Sequence, residues 1–146
     1  MKVRFVHNPD QDEPEVVITA KELTPQIQEL MESLSGLQAG PVLAFLQEKA
    51  VLIDQESILR FYADGKGVSV QTDEGVFTVK QRLYEWEKAL DKHRFVRVSN
   101  SEIVNLKRVT ALDLSMTGTI RMILNDTTNV YVSRRYMKKI KEAVGL

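Results

Sequence analysis

Apolar positions recur along this chain with two different periods, and the switch between them divides it. Lys2-Val-Arg-Phe-Val-His7 and the run Val16-Val-Ile18 predict two short strands, separated by an acidic loop between Pro9 and Pro14. Thr24-Pro25 is a helix start, with threonine as cap and proline in the first turn, where its missing N–H costs nothing. Ile27, Leu30, Met31 and Leu34 then recur at helical spacing, and Gly36 is the expected stop. Gly40-Pro41 breaks the chain. The pattern therefore divides into a small ββα module over residues 1–40 and a main domain over 41–146.

Beyond Pro41 the period is that of strands. Val42–Phe45 and Ala50–Ile53 predict a hairpin, and Ser57–Ala63 a third strand ending at the turn Asp64-Gly-Lys-Gly67. Val68 and Val70 alternate with polar neighbours, as do Phe77 and Val79, with Asp73-Glu-Gly75 between the two runs. Gln81–Lys92 predicts a helix with Leu83, Trp86 and Leu90 on one face. Phe95-Val-Arg-Val then breaks into a polar knuckle at Ser99-Asn-Ser101, resumes at Ile103-Val104 and stops at Asn105. Three further strands are expected at 109–114, 119–124 and 130–132. A last helix from about Arg134 to Val144, capped by Ser133 and ended by Gly145, turns Tyr136, Met137, Ile140 and Val144 inward. The fold class is mainly β with a few helices, that is α+β.

Composition narrows the function classes. At 146 residues and 43% hydrophobic, the chain holds enough for one sizeable core with an appendage. No apolar run approaches the roughly 18 residues that cross a bilayer, and the start lacks the basic-then-apolar order of a secretory signal. With no cysteine there is neither a disulfide framework nor thiolate chemistry, which fits a reducing, cytoplasmic setting. The formal charge is zero but unevenly spread: residues 1–50 hold four basic against eight acidic groups, the rest sixteen against twelve. A basic back half points to a polyanion.

Catalysis finds little support. His7 and His93 are the only histidines, and His93 suits the negative end of the helix before it. No zinc-protease or phosphate-loop spacing occurs, so no enzyme, metal, cofactor or small-molecule substrate is expected. The final helix is more informative. Arg134 and Arg135 occupy its expected first positions, where a cation costs about 0.3–1 kcal/mol against the helix dipole. They make either a solvated pair or a concentrated anion site, extended by Lys138, Lys139 and Lys141. Asn100-Ser101 reads as turn chemistry or as a contact to DNA, Asn105 as a structural cap, and Arg97 as a support bonding the knuckle's backbone. Lys66, at a hairpin tip, is a solvated lysine on its own evidence.

Several ordered pieces together resemble the LytTR DNA-binding domain of bacterial transcription regulators, over residues from about 48 to 146. Ile58-Leu-Arg-Phe-Tyr62 and Gly75-Val-Phe-Thr-Val79 are similar to its early strands, and Leu83, Glu85 and Leu90 to its linking helix. Phe95-Val-Arg97 with Ser101 and Ile103-Val-Asn105 is the most specific piece, and Val132-Ser-Arg-Arg-Tyr-Met-Lys-Lys-Ile140 closes the series. The resemblance implies an elongated β-β-β sandwich that lays loops, rather than a recognition helix, into successive major grooves. By position it implies that Lys66 and Arg135 reach bases while Asn100, Ser101, Arg134 and Lys138 hold the backbone. Ser99 stands where relatives often carry a longer side chain, so no base contact is assigned to it.

The first 40 residues are too few for the roughly 120-residue receiver fused to many relatives. The chain is thus similar to short, receiver-less members, some of which are restrained by a small integral-membrane partner. The expectation is a dimeric, cytoplasmic regulator bound to double-stranded DNA, with residues 1–40 serving dimerisation or partner binding. The alternative is a protein-interaction module that binds a partner through its β edges, without DNA.

Overall fold

The computed structural model describes residues 1–34 and 40–146. Among the described residues ten strands form: β1 (Val42–Leu46), β2 (Lys49–Ile53), β3 (Ile58–Asp64), β4 (Gly67–Thr72), β5 (Gly75–Val79), β6 (Phe95–Ser99), β7 (Glu102–Asn105), β8 (Val109–Asp113), β9 (Ile120–Leu124) and β10 (Asn129–Val132). Three α-helices accompany them: α1 (Pro25–Leu34), α2 (Leu83–Ala89) and α3 (Met137–Val144). All strand pairings are antiparallel. They build a seven-stranded sheet in the order β2-β1-β5-β4-β3-β7-β6 and a three-stranded sheet in the order β10-β9-β8. The expected succession of β units is present, with β6–β7 fused to the first sheet through the short β3–β7 ladder.

Strands β6 and β7 are the axis of the molecule, because their two faces serve two cores. Phe95 and Ile103 point to one side, into a cluster with Phe61, Val70, Phe77 and the α2 residues Leu83, Trp86 and Leu90. Phe61 stacks on Trp86 with ring centroids 4.9 Å apart and meets Phe95 edge-on at 5.9 Å. Val96, Val98 and Val104 point to the other side, against Ile120, Met122, Leu124, Val130 and Val132 of the small sheet and Ile140 of α3. A strand covered on both faces loses the polar-out alternation. That explains the unbroken Phe95-Val96 and Ile103-Val104 pairs. Asn105 closes the axis: buried, it donates from Nδ2 to the Ile58 carbonyl at 2.8 Å and accepts at Oδ1 from the Lys107 N–H at 3.1 Å.

Two expectations are corrected. Residues 2–7 and 16–18 form no strand, and Val3, Phe5, Val16 and Val17 stand exposed. Alternation favours a strand only where a neighbouring edge accepts its N–H and C=O groups, and among the described residues neither segment finds one. Of the ββα module the helix alone is formed. It begins as expected, with the Ile27 N–H donating to Thr24 Oγ1 at 3.3 Å, yet none of its residues is buried. The stop expected at Gly36 lies outside the described residues. The middle helix is also shorter than expected: it ends at Ala89, after which Asp91 gathers the N–H groups of His93, Arg94 and Phe95 into a turn.

The far end of the molecule from the β6–β7 turn carries a polar clasp between the sheets. Arg108 bonds the Glu56 carbonyl, both carboxylate oxygens of Asp73 in the β4–β5 turn and Asn125 Oδ1 in the β9–β10 turn. Gln71 on β4 reaches across to Asp126 at 2.8 Å and Thr128 at 3.2 Å. Burial alone would push Asp126 up, but the hydroxyl and N–H of Thr128 outweigh it and hold the carboxyl below its ordinary range.

Candidate nucleic-acid interface

Antiparallel pairing delivers four chain reversals to one end of the molecule. Tyr62 pairs with Glu102, and the Ala63 N–H donates to the Ser101 carbonyl at 2.8 Å, so the Asp64–Gly67 turn lies beside the Ser99–Ser101 knuckle. The Ser133 N–H donates to the Val98 carbonyl at 2.9 Å, which sets the segment after β10 against the same knuckle. Thr119 Oγ1 bonds the Val132 carbonyl at 2.8 Å and brings the β8–β9 loop alongside. There the Arg134 guanidinium lies 3.5 Å from where a side-chain carbon at Gly118 would stand.

The knuckle is held from below. Arg97 donates from Nε to the Ser99 carbonyl at 2.8 Å and from an Nη to the Asn100 carbonyl at 2.6 Å, and pairs with Glu87 of α2 at 3.5 Å. The register of β6 against β7 shifts between Arg97 and Ser99, which splays the turn. Ser99 Oγ accepts from the Ser101 N–H at 3.2 Å. The Tyr136 hydroxyl bonds Asn100 Oδ1 at 3.3 Å, fixing that side chain while its amide nitrogen makes no hydrogen bond among the described residues. Asn100 and Ser101 are both exposed. The arrangement presents hydrogen-bond donors outward on an anchored backbone.

Cations stand around it. Lys66, Arg134, Arg135 and Lys138 are exposed and pair with no carboxylate among the described residues. The Arg135 guanidinium lies 5.7 Å from the Tyr136 ring centroid. Two of the carboxylates close to this end are already matched: Glu102 with Arg60 at 2.8 Å, and Asp113 with Arg121 at 2.6 Å. The Ser115 hydroxyl and N–H, with Arg121, keep Asp113 below the usual carboxylate range. Gly65, at φ +56°, takes the left-handed conformation that lets the chain reverse tightly and leaves Lys66 at the tip.

The last helix starts later than its sequence pattern predicts. Residues Arg134–Tyr136 form a 3-10 turn and α3 begins only at Met137, so the arginines precede the helix and do not occupy its first positions. Ser133 makes no side-chain cap; its hydroxyl turns to the Val98 carbonyl at 3.4 Å. The basic character of the rim therefore rests on exposed side chains rather than on a helix N-terminus. Tyr136, read as a buried helix residue, also serves the rim by clamping Asn100. Among the described residues no three His, Asp or Glu side chains gather where they could hold a metal ion.

Comparison with known proteins bears on this geometry. A sequence profile described as the LytTr DNA-binding domain matches residues 48–145. The chain belongs to the LytTR DNA-binding domain family. It is 33% identical over 147 aligned positions, 100% of this chain and 99% of the relative, to an uncharacterized HTH-type transcriptional regulator of Staphylococcus aureus strain NCTC 8325. It matches a protein of the same description from strain MRSA252 equally well, at 33% identity with the same coverage. Among solved structures it resembles the LytTr DNA-binding domain of a putative methyl-accepting/DNA response regulator from Bacillus cereus. That match has a TM-score of 0.71 and 23% identity, and covers 73% of this chain and 98% of the other. In this LytTR chain no α-helix directly follows another among the described residues, since strands separate α1, α2 and α3. The rim is made of turns. Strand β1 precedes the matched region and adds to the LytTR unit.

Proposed function

We propose that the protein is a transcription regulator that binds duplex DNA in a sequence-specific way through the turns of its rim. Lys66 and Arg135 contact bases in successive major grooves, and Asn100, Ser101, Arg134 and Lys138 hold the intervening phosphates. It works as a dimer on two half-sites, in the cytoplasm, with no catalytic step. The observation that supports this reading is the meeting of unpaired, exposed cations with an anchored donor knuckle at one end of the molecule. Phosphate neutralisation by such groups releases counterions, so affinity should fall steeply with salt.

A gel shift titrated with salt, on DNA upstream of its own operon and on random duplex of equal length, tests the reading. Tighter binding to the upstream fragment, with log affinity falling linearly against log salt, is expected. No binding to either duplex at low salt would refute it.

A further inference from the structure

Strand β9 begins where β10 ends, with Ile120 opposite Val132, so the loop before β9 and the Arg134–Tyr136 turn after β10 leave the small sheet at the same edge. The loop, residues 114–119, is part of the rim. Thr119 Oγ1 donates to the Val132 carbonyl at 2.8 Å, and a side-chain carbon at Gly118 would stand 3.5 Å from the Arg134 guanidinium. Its chemistry differs from that of the other turns at this end. The Asp64–Gly67 turn carries Lys66 and the knuckle carries Asn100 and Ser101, whereas Leu114-Ser-Met-Thr-Gly-Thr119 holds no charge and no side-chain amide. Such a loop cannot neutralise phosphate.

What it offers is apolar. Leu114 is 53% exposed and Met116 46% exposed. A single exposed apolar side chain is ordinary; here two stand two residues apart on one loop beside Arg134, which pairs with no carboxylate among the described residues. The loop is also held in place. Ser115, between them, donates to Asp113 Oδ1 from its N–H at 2.9 Å and from its hydroxyl at 2.6 Å, and Asp113 pairs in turn with Arg121. The carboxylate nearest the loop is thereby matched, and the backbone between Leu114 and Met116 is fixed before any ligand arrives, which lowers the ordering cost of binding. On a duplex, the base-specific apolar group is the C5-methyl of thymine, which projects into the major groove.

We propose that Leu114 and Met116 cover thymine C5-methyl groups in the major groove beside the phosphate held by Arg134. The inference rests on the DNA-binding reading above and adds to it a preference for thymine where this loop overlies the duplex. Lys66 and Arg135 read hydrogen-bonding edges, while the loop reads a methyl that cytosine lacks. Each methyl covered is worth about fourfold in affinity.

Gel shifts on the upstream fragment and on random duplex, each made with thymine throughout or with uracil throughout, remove the methyl and keep every pairing edge. The wild type is expected to bind the uracil form of the upstream fragment about four- to sixteenfold more weakly, and to bind the two random duplexes equally, since that binding rests on phosphate. Leu114→Ser with Met116→Ser, both at exposed positions, should lose the same factor on the thymine fragment and nothing further on the uracil one. Met116→Leu keeps an apolar side chain and should respond to the exchange as the wild type does. Wild-type protein that binds both upstream forms equally would overturn the inference and leave the DNA-binding reading standing, whereas no binding to any duplex would overturn both. A serine variant that is still weakened by the exchange would assign the methyl contact to other residues and overturn it. A serine variant with undiminished affinity for the thymine fragment would do the same and free the pair for contact with a protein. Equal losses on random and upstream DNA would trace the effect to the duplex itself and overturn it as well.

Discussion

Arg135 is exposed, free of carboxylates and beside an aromatic ring, in a short turn set against the knuckle. A planar guanidinium offers paired donors that match guanine O6 and N7, which a lysine ammonium does not. Arg135→Ala should therefore cost about 1–3 kcal/mol on the preferred site and less on random duplex, read as a ratio of dissociation constants at fixed salt. Equal losses on both would make it a phosphate contact. Lys138, one turn on and equally exposed, carries a compact charge suited to phosphate. Lys138→Ala should weaken both duplexes alike and reduce the salt slope by about 1; an unchanged slope would reject that role. At this scale the sequence was legible where a side chain acts on its near neighbours. Arg97 under the knuckle and Asn105 as a cap follow from chain positions a few residues away. Ser133 was not, because its competing partner, the Val98 carbonyl, lies 35 positions back along the chain.

The β6–β7 hairpin shows how an element turns residue preferences into a fixed tip. Its apolar positions divide between two cores, and the bulge at its end is stabilised by a single guanidinium bonding two carbonyls. Arg97→Met keeps the packed stem of the side chain and removes those bonds. The chain should still fold, while affinity for random and preferred duplex falls together, since a loosened knuckle no longer presents Asn100 and Ser101 in one geometry. A gel shift with a far-UV spectrum checks this, and undiminished affinity would show that the knuckle needs no such support. Deeper in the first core, Phe61→Ala removes the ring stacked on Trp86 and should cost about 3–5 kcal/mol of stability in urea unfolding. Strand and turn positions in the main domain were readable because one face of each is buried and the period is then enforced. The amino-terminal alternation misled for the complementary reason: a strand is a pairing event, and no local pattern reports whether an edge is available.

At the scale of the whole molecule, two cores share one hairpin at the rim end and are joined again at the opposite end by Arg108. Its guanidinium spans the β4–β5 and β9–β10 turns and so ties the two sheets together beside the Gln71 bonds to Asp126 and Thr128. The hydrogen bonds from Arg108 hold the Asp73 carboxyl below its ordinary range, against a small opposing effect of burial and with help from charge attraction. A carboxyl whose folded-state pKa is depressed binds its proton less readily in the folded chain. The stabilisation is therefore complete above the ordinary carboxylate range and is lost as pH falls through the lowered value. Because Asp73 is half exposed, solvent screening keeps the contribution to about 1 kcal/mol or less. Asp73→Asn should lower the melting temperature near pH 7, with the gap to wild type closing as pH drops below about 4. Melting curves across that range, with and without 0.5 M salt, test it; a gap that persists in acid would mean the asparagine disturbs packing rather than charge. Since the clasp is remote from the rim, the same variant should leave the salt slope of DNA binding unchanged, which separates its structural work from the cations that face the duplex.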